Sequence, residues 1–257
     1  MALKRLPRRL QHGEEATLVE HLGELRSRIL ISLFALVPAF IVAFVFRDTL
    51  IDVLTRPLPD DKKLITFGVT EPFTTVVKVC MATAVAVTLP ILLYQLWSFL
   101  APAIEEGKQR TVAVFTAFAT LLFAAGVTFS YFVVLPRALG FLTSFGDEFF
   151  QVEVRASYYF SFVTVTLIAS GLAFQMPIFI LALVRLRILS ADKLRRNRRV
   201  GFALMVVFAV LLPTVDPVSL ALEVAPLLLL FELSIQLASV MERRWDIADQ
   251  KSRWAVE

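Results

Sequence analysis

SYYFSFVTVTLIASGLAFQMPIFILALV, residues 157–184, decides the fold of this chain. These 28 residues carry no charge. A helix needs about 20 apolar residues to cross about 30 Å of hydrocarbon, and this run exceeds that length. Gln175 stands about two-thirds along it, two positions before Pro177. Working outward, five more runs read the same way. Residues 29–46 are apolar apart from Ser32, and 79–100 carry Tyr94, Gln95 and Trp97 near their end. Residues 112–135 are uncharged. Residues 200–212 are apolar but short, and 218–240 are apolar with two carboxylates, Glu223 and Glu232. The expected fold is all-α: a polytopic membrane protein with six transmembrane helices, the last two short. The fifth run is 13 residues, or roughly 20 Å as a helix. Pro213 and Pro217 bracket the turn that follows it.

Composition agrees. The 257 residues are 58% hydrophobic and 19% charged, with mean hydropathy +0.74. A soluble domain is about 45–50% apolar and about 25% charged. Too little polar surface remains to cover this excess, which excludes a soluble enzyme, a disordered chain and a disulfide scaffold. One Cys, Cys80, allows no internal disulfide, and with two His it makes no His/Cys metal cluster. No cofactor is expected. His12 and His21 both lie in the polar head, so no nucleophile–His–acid set can be built, and the nine Gly form no phosphate loop.

Six spans put both termini on one side. Segments 1–28, 101–111, 185–199 and 241–257 hold 19 of the 26 Lys and Arg, and the opposite segments hold 7. The positive-inside rule then makes both termini cytoplasmic. The domains follow: a cytoplasmic head with an amphipathic helix at 1–28, a transmembrane domain at 29–240 and a cytoplasmic tail at 241–257. The head is too long and polar for a signal peptide. The run 193–199 reads as topology charge and anionic-lipid contact rather than nucleic-acid binding. Outside the membrane, Phe141, Phe145 and Phe149 recur at i, i+4, i+8 and predict a short amphipathic helix.

Three polar constellations stand out. Leu18, Leu22, Leu25 and Ile29 have helical spacing, so residues 17–28 read as an amphipathic helix on the inner surface, with Glu24–Arg28 an attractive i,i+4 pair. The inner turn 101–110 carries Glu105 and Glu106 before Lys108 and Arg110, and acidic residues also suit a helix start. Inside the membrane, Glu223, Glu232 and Gln175 are costly unless paired or hydrated. They have no evident basic partner beyond Lys78 at an edge, a weak basis for a proton relay.

The residues resemble a known family. His21-Leu22-Gly23-Glu24-Leu25-Arg26-Ser27-Arg28 is similar to the H-L-x-E-L-R-x-R head of TatC, the receptor subunit of the twin-arginine protein translocase. The end of the second span, from Pro90 through Tyr94-Gln95-Leu96-Trp97-Ser98-Phe99 to Pro102, resembles the family's P-x-x-x-Y-Q-x-W-x-F-x-x-P. Glu71-Pro72-Phe73, Tyr131 to Pro136, Phe174-Gln175-Met176-Pro177, Leu211 to Asp216 and Leu230-Phe231-Glu232 follow in family order. The resemblance implies a non-enzymatic core of a Tat pathway complex in the cytoplasmic (inner) membrane of a bacterium or archaeon. It would recognise signal peptides with two consecutive arginines. With TatA- and TatB-type single-span subunits, in homo- and hetero-oligomers, it would move folded cargo using the protonmotive force.

The resemblance also implies the site. Glu24 would take one arginine, with Arg26 and Phe99 nearby. A gapless match puts the family's loop glutamate on Lys108, so Glu106, or Glu105, would stand in for it. Guanidinium forms bidentate charge-assisted bonds to carboxylates that Lys cannot copy. Gln175 and Glu232 would meet a partner helix within the membrane. The competing reading is an ion- or proton-coupled small-solute transporter, which needs a midplane cavity with several partnered charges. A membrane scaffold is the third.

Overall fold

The computed structural model describes residues 18–104, 109–146, 148–150, 152–185, 187–212 and 216–254. The chain opens with α1 (Leu18–Val45), α2 (Arg47–Thr55), a short strand β1 (Leu64–Ile65) and α3 (Glu71–Ile104). Helix α4 (Gln109–Phe129) runs through a π-helical turn (Ser130–Val134) into α5 (Leu135–Ser144). A second strand, β2 (Val154–Arg155), leads to α6 (Ala156–Ala173), α7 (Met176–Arg185) and α8 (Ala191–Arg196). The last two are α9 (Arg198–Val210) and α10 (Pro217–Trp254). Among the described residues, five segments are long and apolar enough to cross a membrane: Gly23–Val45, Glu71–Phe99, Val112–Ser144, Ala156–Arg185 and Pro217–Glu242. Helix α9 is the sixth apolar helix, and its 13 residues are too few for a full crossing.

The decisive stretch is helical but broken. Pro177 has no N–H to give the carbonyl of Ala173. The backbone tightens around the gap, with Gln175 N–H donating to Leu172 O at 3.0 Å and Ile178 N–H donating to Gln175 O at 3.0 Å. Helices α6 and α7 therefore meet at Phe174–Gln175.

Packing is uneven. Leu54 and Leu58 meet Leu135, Leu139, Tyr159 and Val163 at the end of the bundle remote from the N-terminus, here the opposite side. Leu89, Leu93, Ala119, Phe123 and Ile178 join α3, α4 and α7. Ala173, Met205, Ala209, Leu227 and Phe231 join α6, α9 and α10. Helix α1 leans on α3 and leaves Phe34, Val37, Ile41 and Val45 exposed, as a lipid-facing helix does.

Residues 18–28 continue unbroken into the first span as α1. Two expectations are corrected. The aromatic face at 141, 145 and 149 does not form. Helix α5 ends at Ser144, Phe145 is extended (φ −69°, ψ 110°) and Gly146 takes φ 83°. Phe145 and Phe149 end up exposed beyond the helix. Of the last two helices only α9 is short, because α10 is 38 residues long in all. Residues 47–55 also form a helix, α2. Its signal was the spacing of Leu50, Ile51, Leu54 and Leu58, which all join the core.

Candidate functional site

On the side that carries the N-terminus, Arg28 ties two helices together. Its Nη2 donates to Glu24 Oε1 at 2.5 Å and its Nε to the same oxygen at 3.1 Å. It also reaches α3, donating to Gln95 Oε1 at 3.3 Å, Gln95 O at 3.5 Å and Ser98 O at 3.2 Å. The sequence pair Glu24–Arg28 is thus real, and the fold adds Gln95 and Ser98 to it. An exposed i,i+4 pair contributes only about 0.3–0.5 kcal/mol. Here the side chains are 20% and 31% exposed, and further acceptors hold the guanidinium. The node is a row of oxygen acceptors already shaped around a guanidinium. Arg26 is exposed beside it and Phe99 half-buried. Glu105 and Glu106, with Lys108, lie outside the described residues.

Within the membrane the expected partners change. Gln175 is 2% exposed, and its Nε2 donates to the Ala119 carbonyl of α4 at 3.0 Å. The amide faces the interior of the bundle. Its contact is a backbone carbonyl. Glu232 does have a basic partner: Arg198 Nη2 lies 2.7 Å from its Oε1, joining the start of α9 to α10. Arg198 belongs to the basic run that reads as topology charge and anionic-lipid contact, and here it also forms an ion pair. Glu223 is buried and accepts a hydrogen bond from Ser170 Oγ at 3.0 Å. No local pattern announces that contact, since the two helices meet only in the fold.

On the opposite side, Glu71 organises the two long connections. It is buried at the start of α3. Its Oε1 accepts from Arg155 Nε at 2.9 Å and Ser157 N at 3.3 Å. Its Oε2 accepts from Arg155 Nη2 at 3.2 Å and Phe67 N at 3.0 Å. This is a bidentate guanidinium–carboxylate pair, and its hydrogen bonds hold the Arg155 guanidinium above its ordinary pKa. The same guanidinium lies 5.6 Å over the Phe67 ring and 5.1 Å over Tyr158. Beside it β1 and β2 pair in parallel, Leu64 with Val154 and Ile65 with Arg155. Tyr131 and Tyr159 donate to the carbonyls of Val53 and Leu54 at 2.7 and 2.8 Å, so α2 is pinned as a lid. Glu71 thus has a structural role that spacing alone did not reveal.

Residues 20–226 match the family described as Sec-independent protein translocase protein (TatC). The chain is 36% identical over 230 residues to the Sec-independent protein translocase protein TatC of Carboxydothermus hydrogenoformans, covering 88% of this chain and 94% of that one. It is 33% identical over 222 residues to the TatC of Escherichia coli, covering 85% and 86%. A crystal structure of the twin-arginine translocase receptor TatC in DDM superposes with TM-score 0.74 at 32% identity, over 85% of this chain and 99% of that one. Family match, relatives and solved structure agree across the bundle that holds Glu24, Arg28, Glu71 and Gln175, and the chain therefore belongs to the TatC family of Sec-independent protein translocase proteins.

Proposed function

We propose that the side carrying the N-terminus is the receptor surface for signal peptides bearing two arginines. The supporting observation is the Glu24 carboxylate, which holds the Arg28 guanidinium on a partly exposed face beside the acceptors Gln95 and Ser98. An incoming arginine exchanges with Arg28 on Glu24, and the second arginine meets Glu106 or Glu105 from the first loop. Arg26 and Phe99 flank the peptide. TatA- and TatB-type single-span subunits dock within the membrane at the Glu232–Arg198 face. The assembly moves folded cargo with the protonmotive force.

The direct test compares two tethered peptides on the detergent-solubilised full chain, one bearing Arg-Arg and one Lys-Lys. Selective retention by the Arg-Arg peptide is the expected result. Equal retention leaves a scaffold without receptor function. A bidentate contact adds geometry that Lys cannot supply, so the preference should reach about tenfold.

This function requires the N-terminal side to face the cytoplasm, in the inner membrane. Native Cys80 is buried and gives no background. An Asp61→Cys variant in intact cells is expected to react with an impermeant maleimide, and an Arg196→Cys variant only after permeabilisation. The reverse pattern rejects the orientation.

A further inference from the structure

Two helices and the π-helical turn bring six polar side chains into one buried seam. Asp216, Ser219 and Glu223 stand at i, i+3 and i+7, on one face at the start of α10. Thr166 and Ser170 share a face of α6, and the Ser170–Glu223 hydrogen bond sets the two faces against each other. One turn toward the opposite side, Thr166 then comes level with Ser219. Ser130 opens the π-helical turn that packs against both helices. All six are at most 3% exposed.

Four oxygens in this seam have no partner among the described residues: Asp216 Oδ2, Ser219 Oγ, Thr166 Oγ1 and Ser130 Oγ. Asp216 Oδ1 is engaged as the cap of α10, accepting from Ser219 N at 2.7 Å. Elsewhere in the bundle hydroxyls close onto their own helix, as Thr88 does on Ala84 O, Thr143 on Leu139 O and Ser234 on Leu230 O. Thr164, two positions from Thr166, donates to Phe160 O at 2.6 Å. The seam hydroxyls do not. Buried polar groups in native proteins are hydrogen-bonded, so these four face a ligand that both donates and accepts. One helical turn rises about 5.4 Å, and two O–H···O bonds end to end span about 5.5 Å. A single water therefore fits between groups one turn apart on the same helix face.

We propose that this seam is a proton path that starts at Asp216 and ends on Glu223. A proton from water on the opposite side is taken by the Asp216 carboxylate. Each hydroxyl or water then accepts a proton on a lone pair and passes on its own. The last transfer converts the Glu223 carboxylate to the carboxylic acid, and the reverse sequence releases the proton. A bound metal cation fits worse. The two carboxylates lie about 10.5 Å apart along α10, while ligand distances to small cations are about 2.0–2.6 Å. No other charge intrudes among the described residues. The one charge on α7, Arg185, and those of α8 lie at the far end of the bundle, and α6 has none. Arg137 of α5 is exposed and donates to Val133 O, Arg198 of α9 pairs with Glu232, and Tyr131 of the π-helical turn donates to Val53 O.

The inference does not rest on the signal-peptide reading. Its test is infrared difference spectroscopy of the full chain in lipid nanodiscs after a rapid drop in pH. A carboxylic-acid C=O band should rise, shift in deuterated buffer, vanish in Glu223→Gln and return in Glu223→Asp. Asp216→Asn and Thr166→Val should each slow its rise about tenfold or more, while Thr164→Val leaves the rate unchanged. A band that survives in Glu223→Gln overturns the assignment, as does the absence of any band in the native protein. Unchanged rates in Asp216→Asn and Thr166→Val overturn the path. Loss of the band when sodium replaces potassium makes the seam a cation site instead.

Discussion

A Gly126→Val variant is expected to insert in the membrane and to lose the close packing of α4 against α6. A Cβ at Gly126 would lie 2.8 Å from the Ser170 carbonyl oxygen and 3.0 Å from the Gly171 Cα. Those atoms are backbone and cannot swing aside. From the other helix, a Cβ at Gly171 would run into the Phe123 ring. The two glycines let the helix backbones touch, the small-residue packing that holds membrane helices together where no hydrophobic force acts between them. Overpacking a tight site costs about 1–3 kcal/mol, and more where backbone must move. Thermal unfolding in detergent should show a clearly lowered midpoint for Gly126→Val and a smaller loss for Gly126→Ala. An unchanged midpoint for the valine variant would mean that α4 and α6 do not approach this closely. The contact also positions Ser170 and the start of α7, so weaker Ser170–Glu223 pairing is expected in the same variant.

Glu24→Ala should reduce affinity for an Arg-Arg signal peptide about tenfold or more while leaving the protein folded. A hydrogen bond to a charged group contributes about 1.5–3 kcal/mol, and Glu24 supplies the carboxylate. Arg28 keeps its contacts to Gln95 and Ser98 of α3, so the junction of α1 with α3 should hold. Fluorescence anisotropy with a labelled peptide measures the affinity, and thermal unfolding monitors the fold. An unchanged affinity rejects Glu24 as a peptide ligand. Glu24→Asp should lie between, because the shorter side chain keeps the charge but not the reach.

The two variants probe what different levels of the molecule decide. Hydropathy is a local property, because each residue of a spanning helix answers to lipid wherever its neighbours lie. The uncharged run at 157–184 therefore announced a crossing by itself, as did the runs that became α1, α3, α4 and α10. The short length of α9 was equally local, set by proline and by the run of basic residues before it. The Glu24–Arg28 pair was legible for the same reason, since i,i+4 neighbours meet in any helix.

The resemblance to TatC rested on motif order along the chain, and the comparisons bear it out. Tertiary structure decided the rest, where contacts join residues far apart in sequence. Arg198 reached Glu232 because α9 folds back along α10. Glu71 found Arg155 only once two connections met over α3. Gln175 turned inward to the Ala119 carbonyl because α4 lies closely against the break at Pro177. A polar side chain in hydrocarbon must find a partner, but which partner depends on the helix that packs against it. The chain determined its crossings and its family, and the packing of α4, α6 and α10 determined where its polar groups point.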